Sequence, residues 1–451
     1  MDASALGRRL GAVMSMPQAP LSGMAAIGLR DGKVVYEGAW GLRHIGHARR
    51  DVDDEGDVGD ESDAGPGNLD LPVTPDTKFR VASISKTTVA LAAMRLVERG
   101  QLELDRDVSE YLGWRLRNPH WLETPITSAM LLSHCSSLRD GDNYNLPLPR
   151  RIEDFFREGT DVYEGGAHYA RPEKDRDLAP GRFFAYCNLN TGIMGTILER
   201  VTRKRFDLFM GDELFSPLGL DAAFNPNLLS DGAFASLATL YRKGFDETHW
   251  DSSGPWVPQF DDHRGKRPAS PCRLSPGLGP DALDAYEIGS NGSLFSPQGG
   301  LRASIRDLGV LIGLFLGDGA IDGKRLLSRE SIRAMTTGRW IWNPEARNGD
   351  FEGTPVREMG LGLMRIGSYS DAAGSDRLLP DGGPSLWAHS AEAYGLLGGM
   401  AFDKDSGSGY AYLIGGTGRD PRNFKGEYSS RSRWEEAIHG AFVEELSIGK
   451  A

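Results

Sequence analysis

The sequence predicts an α+β fold: a mostly antiparallel β-sheet flanked by helices, joined to an all-helical domain across a cleft. Three observations carry this. Strand-type stretches lie at both ends of the chain, helix-type stretches fill its middle, and 451 residues are too many for one small core. The sheet domain is expected over residues 1–120 and 290–451, and the helical domain over 121–289.

The elements follow in order. MAAIGLRDGKVVYEGAWG (Met24 to Gly41) reads as two strands around Asp31-Gly32, a strong hairpin signal. The acidic, glycine-rich stretch that follows has little to bury and reads as a surface loop. A cation site at 51–63 is the alternative, although the spacing departs from an EF-hand loop. Ser83 to Arg99 reads as a helix apolar on most sides, with Gly100 as its C′ stop. PITSAMLLSHCSSL and RIEDFFREG read as further helices, and Asn188 to Leu220 as two more, ended by Pro217 and Gly219. From Asp221 to Pro297 the chain reads as loop-rich. ASIRDLGVLIGLFLGDG is a helix stopped by glycine, and SRESIRAM a short capped one. GGMAFDKDSGSGYAYLIGG reads as a hairpin and SRWEEAIHGAFVEEL as a closing amphipathic helix.

Composition excludes several classes. With 63 acidic and 51 basic residues the formal charge is −12, against a nucleic-acid binder and against docking on anionic lipid. Cys135, Cys187 and Cys272 form no Cys-x-x-Cys pair, so neither a zinc nor a redox framework is visible. The first residues lack a signal-type apolar run, and no apolar run of about 18 residues predicts a spanning helix. A cytoplasmic location is expected.

Three segments carry candidate chemistry. In FRVASISKTT, Ser83 and Lys86 are three apart and share a helix face. Such a serine lies at the positive end of the helix dipole, and a partly buried lysine one turn on has its pKa lowered toward that of a base. Taken alone, the pair reads rather as an N-cap serine and a snorkelling lysine. In GRFFAYCNLNTG, Tyr186 and Asn188 point to one side if the segment is extended, as a proton shuttle and an orienting amide would. Alone, they read rather as a buried tyrosine and an N-cap asparagine. In SLWAHSAEAYGLLGGMAF, His389 precedes small residues and a strand. His44 and His47 form a His-x-x-His that reads as a surface turn. There is no Gly-x-Ser-x-Gly elbow and no phosphate-binding Gly-x-x-x-x-Gly-Lys loop.

Together the three segments, in this order, resemble the serine hydrolases related to class C β-lactamases. That penicillin-recognising family also holds esterases, D-aminopeptidases and amidases. ITSAMLLSHCSSL, APGRFFAYCNLNTGIMGTILERVTRKRF and SPQGGLRASIRDLGVL are similar to further family segments, so the likeness runs from Gly23 to the last strands. The resemblance implies a β-lactamase/transpeptidase-like fold. It implies Ser83 as nucleophile, Lys86 as its base partner, Tyr186 as general base and shuttle, and Asn188 as the orienting amide. His389, Ser390 and Ala391 match the third motif, and the backbone N–H groups of Ser83 and Glu392 the oxyanion hole.

The departures are Ala391 where the family prefers glycine, His389 where β-lactamases carry lysine, Ser137 for a glycine and Cys135 for a threonine. A histidine, mostly neutral near pH 7, favours an esterase or amidase over a β-lactamase. The implied function is hydrolysis of a small ester or amide through a Ser83 acyl-enzyme, carboxylesterase-like above all. D-amino acid amidase or aminopeptidase activity, weak β-lactamase activity and a non-catalytic binding protein are the alternatives. No cofactor or metal is expected, and the partner is a small ester or amide, with no nucleic acid and no membrane. Cys187 should face away from the site as packing, and Tyr144, Tyr163, Trp250 and Trp256 either roof the pocket or pack their loops.

Overall fold

The computed structural model describes residues 2–46, 69–268, 283–350, 356–371 and 374–449. Cys272, His47 and the acidic 51–63 stretch lie outside them. The strands that organise the molecule are β1 (Gly23–Arg30), β2 (Lys33–His44), β3 (Leu71–Pro72), β4 (Phe79–Arg80), β5 (Leu240–Lys243), β6 (Trp256–Phe260) and β7 (Arg302–Ala303). They continue as β8 (Trp340–Ile341), β9 (Glu358–Met359), β10 (Met364–Ile366), β11 (Leu386–Ala393), β12 (Leu396–Asp403), β13 (Ser408–Ile414) and β14 (Gly416–Thr417). The main helices are α1 (Ala3–Met14), α2 (Ser85–Glu98), α3 (Leu189–Thr202), α4 (Ile305–Leu316) and α5 (Arg433–Glu445).

Nine strands form one antiparallel sheet in the order β8-β9-β10-β11-β12-β13-β1-β2-β3. The two expected hairpins are present. Asp31 and Gly32 both adopt positive φ, 51° and 69°, and join Arg30 to Lys33 with the twist that paired strands need. The later hairpin pairs Asp403 with Ser408. Side chains alternate between two apolar layers. Ala25, Ile27 and Leu29 of β1 join one core with Ala411 and Leu413 of β13, whereas Met24, Ala26, Tyr410 and Tyr412 join the other. Helix α4 covers the first face, and α1 with α5 the second.

Helix α4 starts at a capping box. The Ser304 hydroxyl accepts from the Asp307 N–H, and the Asp307 carboxylate accepts from the Ser304 N–H at 2.7 Å. Asp307 also takes the buried Lys78 ammonium at 2.6 Å.

The first core continues from the sheet into α2, α3 and the short helix Phe206–Met210 without a break. Sheet and helices therefore bracket α2.

Four expectations change. The N-terminal residues, read only for what they lack, form α1, capped by Asp2 and packed on α5 through Leu6, Leu10 and Val13. The stretch from Asp221 to Pro297, read as loop-rich within the part expected to be helical, contains the hairpin β5–β6, and β5 pairs in parallel with β14. Its Tyr, Val and Trp positions were hidden among turn residues. PITSAMLLSHCSSL and RIEDFFREG yield only Ser128–Leu132 and a 3-10 turn at Ile152–Phe155. His44 is buried against Thr239 rather than on a surface turn.

Candidate active site

Ser83 sits in a 3-10 turn, Ala82–Ile84, that leads directly into α2. Ala82 takes a positive φ of 44°, a conformation costly for a residue with a side chain. The turn lifts Ser83 to partial exposure while Lys86, one turn on, is buried.

Lys86 is held on three sides. Its Nζ lies 3.0 Å from Ser83 Oγ, 2.8 Å from Asn188 Oδ1 and 2.8 Å from the Gln298 carbonyl oxygen. Burial lowers its pKa to about 7, against an opposing pull from the Asp140 carboxylate. A neutral lysine keeps a lone pair that can take a proton from the serine hydroxyl.

Asn188 ends the extended run just before α3, yet its side chain does not cap that helix. Asp140 does this work instead, its two oxygens accepting from the Leu189 N–H and the Asn188 amide, each at 2.9 Å. The chain Asp140–Asn188–Lys86–Ser83 is therefore continuous.

The Tyr186 hydroxyl lies within electrostatic reach of Ser83, and the Lys86 ammonium lies 4.9 Å from the Tyr186 ring centroid. Burial pushes the phenol above its ordinary range, so it carries its proton near neutral pH. His134 stacks on the ring at 4.4 Å and accepts the Cys187 N–H at 3.1 Å through Nδ1. The ring and backbone of this segment are both anchored by one imidazole. Cys187 is fully buried in the core, with Asp140 and Lys86 within its electrostatic reach.

His389 is fully buried on β11. Its Nδ1 lies 2.9 Å from the Ser390 carbonyl oxygen, which can only accept, so Nδ1 carries the proton. Burial and the nearby Lys86 lower its pKa to about 3, and its Nε2 has no partner. Ala391 shares that face, and the register places it opposite Gly398, so its methyl meets no side chain across the pair. Ser390 points to the other face, 3.4 Å from the Arg431 guanidinium. Glu392 lies on that other face too, among Glu435, Arg422, Asp420 and Lys425. β10 pairs with β11 only from Leu386 to Ala388, and the Ser83 turn packs beside the strand.

The eight residues singled out from the sequence thus lie on three segments, the Ser83 turn with α2, the run that leads into α3, and β11, with Ser390 and Glu392 on the face of β11 away from His389. The sequence reading missed four others: Asp140, His134, Gln298 and Arg80. His134, Gln298 and Arg80 lie inside segments quoted for the resemblance and Asp140 two residues beyond one, but their roles depend on folding distances that no spacing shows. Of the four aromatics proposed as a roof, only Tyr144 lies near the site, within electrostatic reach of Tyr186. Trp250 donates to Thr417 at 3.0 Å, Trp256 packs near Tyr241, and Tyr163 packs against the core. Among the described residues no cluster of His, Cys, Asp and Glu is arranged to hold a metal, and no helix is long and apolar enough to cross a membrane.

An antiparallel sheet covered by helices, with a serine at the head of a buried helix, defines a β-lactamase/transpeptidase-like fold. The chain belongs to the Beta-lactamase family, whose profile matches residues 15–431. Protein Rv1367c of Mycobacterium tuberculosis is 27% identical over 331 residues, covering 69% of this chain and 72% of that one. Esterase EstB of Burkholderia gladioli is 29% identical over 321 residues, covering 67% and 70%. The structure of D-amino acid amidase from Ochrobactrum anthropi SV3 matches with a TM-score of 0.62 at 17% identity, covering 99% of each chain, a likeness of fold.

Proposed function

We propose that the protein is a serine hydrolase that cleaves a small ester through a Ser83 acyl-enzyme, in the cleft between the sheet part (1–120 and 290–451) and the helical part (121–289). The observation that carries this is Lys86, buried, held by two fixed acceptors and 3.0 Å from the serine oxygen.

Lys86, neutral in a substantial fraction of molecules near pH 7, accepts the Ser83 proton as Oγ attacks the ester carbonyl. The C–O bond to the leaving group breaks, and the proton returns to that oxygen through the Tyr186 hydroxyl. Water then attacks the acyl-enzyme with the same groups in reversed roles. Tyr186 serves as a proton-bearing shuttle rather than a phenolate base, because burial keeps it protonated. The N–H groups of Ser83 and Glu392 face the developing oxyanion, each worth a few kcal/mol (~3) in such a site.

A neutral His389 supplies no fixed cation where β-lactamases carry lysine, which supports an ester over a β-lactam. Glu392 lends nothing to an amine-bearing substrate, since its carboxylate lies on the face away from His389. Ser83→Ala is expected to lower kcat on p-nitrophenyl butyrate by at least about 1,000-fold with the fold intact by circular dichroism. Residual turnover close to wild type would sink the reading, and faster turnover of D-alanine p-nitroanilide than of the ester would move the assignment to an amidase.

A further inference from the structure

Arg80 is 7% exposed, three residues before Ser83, and makes no hydrogen bond or ion pair with any described side chain. Its Nε is enclosed and unpartnered. Its contacts are aromatic: the guanidinium lies 4.0 Å from the Phe260 ring centroid and 5.4 Å from that of Tyr394. The carboxylate within its electrostatic reach, Asp261, is already taken by Arg302 through two hydrogen bonds of 2.7 and 3.0 Å. Two guanidinium groups and one carboxylate leave a local positive charge. A buried guanidinium without a counter-ion is costly, and an arriving anion removes that cost.

Position ties this group to the cleft. Tyr394 directly follows β11, the strand that carries His389 and Ala391. Tyr144 lies within electrostatic reach of Arg80 and Tyr394 on one side and of Asp140 and Tyr186 on the other. The third-motif histidine is enclosed beside Lys86, so an anionic group entering this cleft finds its cation at Arg80.

We propose that Arg80 is an anion-recognition residue of the active site, and that the substrate is an ester bearing a free carboxylate. The planar fork of the guanidinium, lying over Phe260 and near Tyr394, offers paired donors to that group. The inference rests on the hydrolase reading for the word ester, but not for the anion site.

Two measurements on the full chain separate them. In thermal unfolding, glutarate is expected to raise the Tm of wild type and not of Arg80→Met, with neutral glutaramide silent in both. In turnover, two charged esters are each compared with a neutral counterpart: p-nitrophenyl hemiglutarate with p-nitrophenyl pentanoate, and 4-butyryloxybenzoate with its methyl ester. Wild type is expected to prefer the charged member of at least one pair by about tenfold in kcat/KM, and Arg80→Met to lose at least about tenfold more on it than on its neutral counterpart. Arg80→Lys keeps the charge and is expected to retain part of the preference. It decides the matter if the methionine variant does not fold. No glutarate shift together with no charged-ester preference in wild type overturns the proposal. Equal losses on both members of each pair also overturn it, as for a packing residue. An Arg80-dependent glutarate shift without turnover of any ester supports the anion site and sinks the hydrolase reading instead.

Discussion

The chemistry proposed for the site turns on one proton. Lys86 must shed its own before it can take that of Ser83, so kcat/KM for a neutral ester is expected to rise with pH through a midpoint of about 7. Asp140 holds the lysine pKa up, opposing burial. Asp140→Asn removes that anion, so the rising limb should move to lower pH, and the loosened Asn188 should cost about tenfold in plateau rate. A limb that stays in place would show that another group sets it.

A second titration lies away from the site. Glu199 is fully buried, its carboxylate accepting from the Tyr286 hydroxyl at 2.6 Å and from the Gly289 and Phe206 N–H groups at 2.8 Å. Burial raises its pKa to about 7. The folded protein therefore binds this proton more tightly than the unfolded chain does. The resulting stabilisation is complete below the ordinary carboxylate range and is lost as pH climbs through about 7. Glu199→Gln does not titrate, so its stability relative to wild type is expected to improve between pH 5 and 8 by up to about 3 kcal/mol. A pH-independent difference in urea denaturation would exclude Glu199 as the titrating group.

At the scale of elements, α2 is fixed by what presses on it. Gly362 has φ of 68° and stands against the helix, where an added Cβ would come within 2.6 Å of Ala90 Cβ and 3.1 Å of the Lys86 carbonyl oxygen. Its own carbonyl accepts the Thr87 hydroxyl at 2.8 Å. Gly362→Ala thus meets both a disfavoured conformation and a clash with the helix that positions Lys86. It is expected to lower stability by roughly 2–4 kcal/mol and to reduce kcat with it. A Tm within a degree of wild type would show that the loop yields without cost.

The molecule as a whole is closed by contacts between its two ends. Helix α1 buries Leu6, Leu10 and Val13 completely or nearly so, and the Trp434 indole of α5 donates to the Ala19 carbonyl at 3.0 Å. Removing residues 2–14 uncovers that layer of the sheet. A loss on the order of 5 kcal/mol is expected from the three side chains, seen as a lower Tm and aggregation on heating. Unchanged thermal unfolding of the shortened chain would deny α1 a structural role.

Much of this was legible from the sequence. Asp31-Gly32 demanded a tight turn because only that kind of dipeptide readily takes two positive φ angles, and alternating apolar residues required two-layer strands. Ser83 and Lys86 had to share a helix face because three residues make nearly one turn, and Gly100, with φ of 68°, had to stop that helix. The order of the three candidate segments carried the family. These are local or periodic properties, written in neighbouring residues.

Tertiary structure alone decided the rest. Asp140 reaches Asn188, His134 reaches Tyr186, and the Gln298 carbonyl reaches Lys86 only after segments up to 212 residues apart in sequence are brought together. The protonation of Lys86, Tyr186 and His389 followed from burial, which depends on every layer around them. The same holds for Arg80. Its charge was plain in the sequence, but whether it met a carboxylate or was left without one depended on where Asp261 and Arg302 came to lie, because pairing is settled by distance and not by order along the chain.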